Sequence, residues 1–99
     1  MKTLDVQAKE WFDKVNGNSY FSARVTIDYS LDSEQVYYLP FQYGYGSFYE
    51  QATRDLLRDK GIIPKDAYIG SYCRENNIPM RSNKQENCLN RDVKSWGTK

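Results

Sequence analysis

Leu4-Asp5-Val6-Gln7-Ala8-Lys9-Glu10-Trp11-Phe12-Asp13-Lys14-Val15-Asn16-Gly17-Asn18-Ser19-Tyr20-Phe21-Ser22-Ala23-Arg24-Val25-Thr26-Ile27-Asp28-Tyr29 is the stretch on which the fold of this chain turns. Asn16-Gly17 at its centre is the preferred pair for a two-residue type I′ turn, because both central residues of that turn need positive φ. A turn centred there sets Val15 opposite Asn18. One face of the resulting ribbon reads Phe12 opposite Phe21, Ala8 opposite Val25, Val6 opposite Ile27 and Leu4 opposite Tyr29. Glu10 opposite Ala23 is its only interruption. The other face reads Trp11 opposite Ser22, Lys9 opposite Arg24, Gln7 opposite Thr26 and Asp5 opposite Asp28. A one-residue slip would mix the two faces, so turn chemistry and hydrophobic pattern agree on a hairpin of Leu4–Phe12 with Tyr20–Tyr29.

Outward from the hairpin, Ser30–Gln35 is polar and turn-like, and Val36–Phe41 is β-branched and aromatic, which predicts a third antiparallel strand. Tyr37, Leu39 and Phe41 are expected on its apolar face. Pro40 lacks a donor, so that position belongs at a sheet edge or a strand end. Gln42-Tyr43-Gly44-Tyr45-Gly46 then reads as a loop. Ser47-Phe48-Tyr49-Glu50 fits a capping box, and Tyr49, Ala52, Leu56 and Leu57 supply the apolar stripe of a helix, with Glu50 and Arg54 an i,i+4 pair. Gly61 suits the left-handed position after that helix, and Pro64 prevents its continuation.

Asp66 is placed to cap a second helix carrying Ile69, Tyr72 and Cys73 and ending at Asn76-Asn77, before Pro79. Leu89, Val93 and Trp96 predict a last helix from about Glu86 to Ser95, with Gly97 as its stop. The expectation is one α+β domain over residues 1–99, a three-stranded antiparallel sheet followed by two or three helices packed on one face.

Composition narrows the chemistry. The chain has 99 residues, 14 Lys and Arg, 13 Asp and Glu, and a net charge of +1. That balance fits neither a polyanion-wrapping protein nor an acidic nucleic-acid mimic. It has 0 His, which removes Ser–His and Cys–His nucleophiles and the usual His-containing metal sites. Asp55 and Asp59 are an i,i+4 acidic pair, yet Arg54, Arg58 and Lys60 surround them as on a solvated helix face. No enzyme activity, cofactor or metal is expected. Cys73 and Cys88 read as two free thiols of a reducing cytoplasm or as a single bridge. No apolar run reaches the roughly 20 residues of a membrane-spanning helix, and Met1-Lys2-Thr3-Leu4-Asp5 is no secretory signal.

The unusual number is 9 Tyr. Tyr29, Tyr37, Tyr38, Tyr43, Tyr45 and Tyr49 all fall between Asp28 and Glu50, a stretch with Asp28, Asp32, Glu34 and Glu50 but no Lys or Arg. Arg81, Lys84, Arg91, Lys94 and Lys99 against Glu86 and Asp92 make the tail basic. Three surfaces follow. Gly44 and Gly46 before the helix read either as an anion-binding loop or as a tight strand-to-helix connection. Lys9, Trp11, Arg24 and Tyr20 form a basic-aromatic sheet face suited to single-stranded nucleic acid, or an ordinary solvated face. Tyr43, Tyr45 and Gln42, with the acidic Asp32 and Glu34, form a protein-binding surface, unless the two tyrosines fold back over the core.

Asp13-Lys14-Val15-Asn16-Gly17-Asn18-Ser19-Tyr20-Phe21 and Leu39-Pro40-Phe41-Gln42-Tyr43-Gly44-Tyr45-Gly46 resemble strings in a family of small proteins encoded by tailed bacteriophages. Asn87-Cys88-Leu89-Asn90-Arg91-Asp92-Val93 resembles that family more weakly. The resemblance implies a setting, the cytoplasm of an infected bacterium, and no established activity or site residues. The expected function is an accessory protein that binds a host protein and so inhibits a bacterial defence system. The alternative is a small single-stranded nucleic-acid-binding module.

Overall fold

A computed structural model describes all residues, Met1–Lys99. Its elements in chain order are β1 (Leu4–Asp13), β2 (Asn18–Ile27), β3 (Gln35–Tyr43), α1 (Phe48–Asp59), α2 (Ile69–Glu75), β4 (Met80–Gln85) and α3 (Asn90–Trp96). The strands form one mixed sheet in the order β3-β2-β1-β4, with β4 parallel to β1. The α+β class stands; the three-stranded sheet is corrected to four strands.

The β1–β2 hairpin forms with the expected faces but a different register. Asp13 pairs with Asn18, and Leu4 with Ile27, a two-residue shift from a turn centred on Asn16-Gly17. The reason is Asp13. Its carboxylate accepts from the backbone N–H groups of Val15 and Asn16 and from the Asn16 side-chain amide, while Gly17 N–H donates to Asp13 C=O at 2.7 Å. Only Gly17 of the central pair takes positive φ, +70°. This aspartate-capped, four-residue turn replaces the type I′ turn. Because side chains alternate with period two, a shift of two residues leaves every one on its expected face. It does separate Lys9 from Arg24: Lys9 faces Ser22, and Arg24 faces Gln7.

One face of the sheet carries the main core. Leu4, Val6, Ala8, Phe21, Ala23, Val25, Ile27 and Leu39 pack against Tyr49 and Leu57 of α1, Ile63, and Ile69 and Cys73 of α2. Each such large aliphatic or aromatic side chain contributes about 1.5–3 kcal/mol on burial. Glu10, the charged interruption on this face, pairs with Lys84 of β4 at 3.0 Å, both side chains mostly covered. Burial pushes the Cys73 thiol up, so it stays protonated and behaves as a small apolar group. Both cysteines are free.

The helices do not share one face. α1 and α2 lie on the core face, but α3 lies on the other. Ser22 Oγ donates to Val93 C=O, Trp96 Nε1 donates to Gln7 C=O at 2.8 Å, and Val93 is fully buried. At Gly97 a Cβ would come within 2.6 Å of Leu39 O and 2.7 Å of Ser22 Cβ, so this glycine lets α3 approach the sheet.

Helix ends show which local signals hold. Gly61 (φ +71°) closes α1 with Ile62 N–H on Leu57 C=O and Gly61 N–H on Arg58 C=O, the expected left-handed stop. Asn77 closes α2 the same way, with Ile78 N–H on Cys73 C=O. The start signals are corrected. Ser47 makes no side-chain cap bond, Arg54 pairs with Asp55 rather than Glu50, and α2 begins at Ile69 with Tyr68, not Asp66, before it. The last helix starts at Asn90 because β4 and its exit turn take up the residues before it.

Candidate functional site

β3 decides where the aromatic side chains go. Ala23 pairs with Leu39, but Phe21 pairs with Gln42, so Pro40 and Phe41 together face Ser22 in a bulge. The extra residue reverses the alternation. Phe41, expected on the core face beside Tyr37 and Leu39, therefore lies on the opposite face with Trp11 and Tyr20. Tyr43 follows it there, and Gln42 turns toward α1, where it lies beside Phe48 and Ala52.

The rings form a continuous series. Trp11 stacks on Tyr20 with centroids 5.7 Å apart, Tyr20 on Phe41 at 5.1 Å and 7° between planes, and Tyr43 meets Tyr20 edge-on at 5.9 Å. Tyr43 also opens the next part of the band. With Tyr45, Phe48 and Gln51 it lines a cleft of about 530 Å³ around the β3–α1 loop. Tyr43 is 57% exposed, Tyr45 70% and Phe48 42%. The loop is held from two sides. Gly44 lies where a Cβ would strike Phe21 and Phe48 at 2.7 Å, and Lys84 Nζ donates to Gly46 C=O at 3.0 Å. Phe12, Val15 and Leu89, also exposed, lie near Trp11 at the same end of the sheet.

Of the protein-binding residues expected from sequence, Tyr43 and Tyr45 sit together in this band and Gln42 lies beside it. Asp32 and Glu34 do not. They belong to the β2–β3 turn at the far end of β3, about 26 Å away at about 3.3 Å per residue. Glu34 there accepts from Ser30 N–H at 2.7 Å, closing its own turn. Phe48 and Phe41 belong to the band and were not among the expected site residues. Both signals lay in the sequence: Phe48 follows the glycine loop, and Pro40 marks the bulge.

The nucleic-acid residues are divided differently. Trp11 and Tyr20 are in the ring series. Lys9 and Arg24 lie under α3, where the Arg24 guanidinium is 3.8 Å and the Lys9 ammonium 4.4 Å from the centre of the Trp96 ring. Arg24 Nε also donates to Trp96 C=O at 3.1 Å.

Charged groups adjoin the band: Asp13 and Lys14 lie beside Trp11, and Asp55 and Asp59 beside Phe48. Lys94 lies 5.3 Å over Phe41. The Asn16 side-chain amide, with the Asn16 and Val15 N–H groups, holds the Asp13 carboxyl below the ordinary carboxylate value, against a smaller opposing effect of burial. No cluster of three or more His, Cys, Asp or Glu side chains could hold a metal ion, and no helix is long and apolar enough to cross a membrane. In comparisons with known proteins the chain matches no family model, no curated protein and no solved structure.

Proposed function

We propose that this chain is a small binding protein without catalytic activity, whose aromatic band docks onto a folded host protein and thereby inhibits a bacterial defence system. The observation that carries the binding part is Tyr43. It joins the ring series Trp11–Tyr20–Phe41 on one face of the sheet to Tyr45 and Phe48 around its end, and it is 57% exposed. Tyrosine and tryptophan bring large contact area at little rotamer cost and are enriched at the energetic centres of interfaces. Rings stacked on one another are already ordered, so less entropy is lost when a partner covers them. Asp32 and Glu34 lie outside this contact, which is aromatic rather than acidic. The infected-cell setting and the defence target rest on the resemblance to small proteins of tailed phages.

The experiment is capture from host lysate with tagged protein, nuclease-treated, comparing wild type with the Tyr43→Ala/Tyr45→Ala double variant. Both positions are exposed, so the double variant is expected to keep its unfolding midpoint. A host protein held by wild type after nuclease and lost by the folded double variant supports the reading. A partner retained undiminished by that variant removes the band from consideration.

A further inference from the structure

One ion pair of the molecule has both side chains covered, and it lies beside the aromatic cleft. Glu10 and Lys84 meet at 3.0 Å with 12% and 11% of their side chains exposed, whereas every other ion pair has a partner at least 62% exposed. Glu10 is opposite Phe21 in the sheet, and Phe21 is the ring that a Cβ at Gly44 would strike. The pair therefore sits where the β3–α1 loop meets the core face. Lys84 Nζ donates both to Glu10 Oε1 and to Gly46 C=O, each at 3.0 Å, with Glu86 Oε1 at 3.6 Å. Glu10 C=O in turn accepts from Cys88 N–H at 2.9 Å, which fixes the exit of β4.

Stability does not explain this pair. Taking two charges out of water costs free energy, and apolar side chains of similar volume in their place are often as stable or more so. What apolar side chains cannot do is donate to Gly46. That carbonyl belongs to the turn in which Phe48 N–H donates to Tyr45 C=O at 3.2 Å, with Gly46 at φ +62°. Before it, the loop backbone is tied to the sheet by Gly44 N–H on Ser19 C=O at 3.1 Å. Tyr45 and Phe48, on either side of Gly46, line the cleft and are exposed. We propose that Glu10 and Lys84 form a latch: Glu10 holds the Lys84 ammonium, the ammonium holds Gly46, and Tyr45 and Phe48 stand in their cleft-forming positions before any partner arrives. Lys84 is then a positioning residue for the docking surface, a role that rests on the aromatic band being that surface. A loop already ordered loses less entropy on contact, and a loop closed only part of the time binds more weakly by that fraction.

The experiment compares Glu10→Leu/Lys84→Met, which removes both charges and the donor, with Glu10→Gln, whose amide oxygen still accepts from Lys84. Amide exchange of the free protein is followed by NMR. In the double variant Gly44 and Phe48 should exchange at least about tenfold faster than in wild type. Gln7 and Arg24, opposite each other in the β1–β2 hairpin, should keep their rates, and the urea midpoint should hold. In Glu10→Gln, Gly44 and Phe48 should stay within about threefold of wild type. A pair with only a structural role would move the hairpin amides together with the loop amides, and that result overturns the proposal. So does unchanged exchange at Gly44 and Phe48 in the double variant, or equal acceleration in Glu10→Gln. In lysate capture the double variant should hold a Tyr43-dependent protein more weakly than wild type, and equal retention with an opened loop overturns the positioning role. Exchange is read without a partner, so failure of the latch stays distinct from failure of the docking surface, which the Tyr43→Ala/Tyr45→Ala comparison decides.

Discussion

Asp28 is the residue with the most local work to do. It sits at φ 57° at the end of β2, and its carboxylate accepts from Lys2 N–H, Thr3 N–H and the Ser33 hydroxyl. It therefore ties the start of the chain to the β2–β3 turn. The Lys2 N–H first, then Ser33, hold its carboxyl below the ordinary value of 3.8, against a smaller opposing effect of burial. A carboxylate with a lowered folded value stabilises the fold above its unfolded value, and that stability fades as pH falls through the folded one. Asn tolerates the same left-handed backbone, so Asp28→Asn isolates the charge. Urea unfolding should show Asp28→Asn less stable than wild type at pH 7, with the gap closing as pH drops below about 3.8. A gap that persists unchanged at pH 2 would show that the charge is not what holds the turn.

At the scale of elements, α3 is the one whose position sequence reasoning missed, and Gly97 shows why it can be where it is. Its missing Cβ leaves room for Leu39 O and Ser22 Cβ, the latter on a side chain as small as the contact allows. Gly97→Ala is expected to push α3 outward, at a cost of about 1–3 kcal/mol for overpacking. Urea unfolding checks the loss, and a red shift of tryptophan emission checks the lifting of Trp96. An unchanged midpoint would mean the helix end relaxes freely. The two-sided arrangement was partly legible: Leu89, Val93 and Trp96 announce a helix, but nothing in that stripe says which face of the sheet receives it. The hairpin faces were legible because period-two alternation survives a two-residue shift, whereas the register was not, because the Asp13 side chain rather than Asn16-Gly17 decides the turn. Left-handed stops at Gly61 and Asn77 were readable from backbone demands. β4 was invisible, since Met80–Gln85 joins through main-chain bonds and carries no apolar alternation.

For the whole molecule, the question is which broad surface remains available once all the elements are packed. Sequence spacing placed Tyr43 and Tyr45 on a loop after an edge strand; β3 instead runs on through Gln42 to Tyr43, which pairs with Tyr20, and only Tyr45 is on the loop, yet both are exposed. Sequence spacing also grouped them with Asp32 and Glu34 because nearness along the chain is no guide across a strand of 9 residues. The basic-aromatic face reads as open in a sheet whose helices all pack on one face, which is the arrangement the sequence led us to expect. With α3 in place, Arg24 and Lys9 both lie against Trp96, and Arg24 also donates to its carbonyl. Trp11, Tyr20 and Phe41 pack into a close cluster, with centroids 5.1 to 6.2 Å apart, and Lys94 lies over Phe41, which leaves less ring face for a base. A nucleobase needs a free ring face, and a phosphate needs a free cation. With a net charge of +1, little long-range attraction makes up for that. An oligothymidylate of about 20 nucleotides should therefore bind no tighter than about 100 μM at about 50 mM salt. Fluorescence anisotropy of the labelled strand checks it. Saturable micromolar binding that weakens steeply between about 50 and 200 mM salt would return Lys9 and Arg24 to the functional surface and require α3 to move off the sheet.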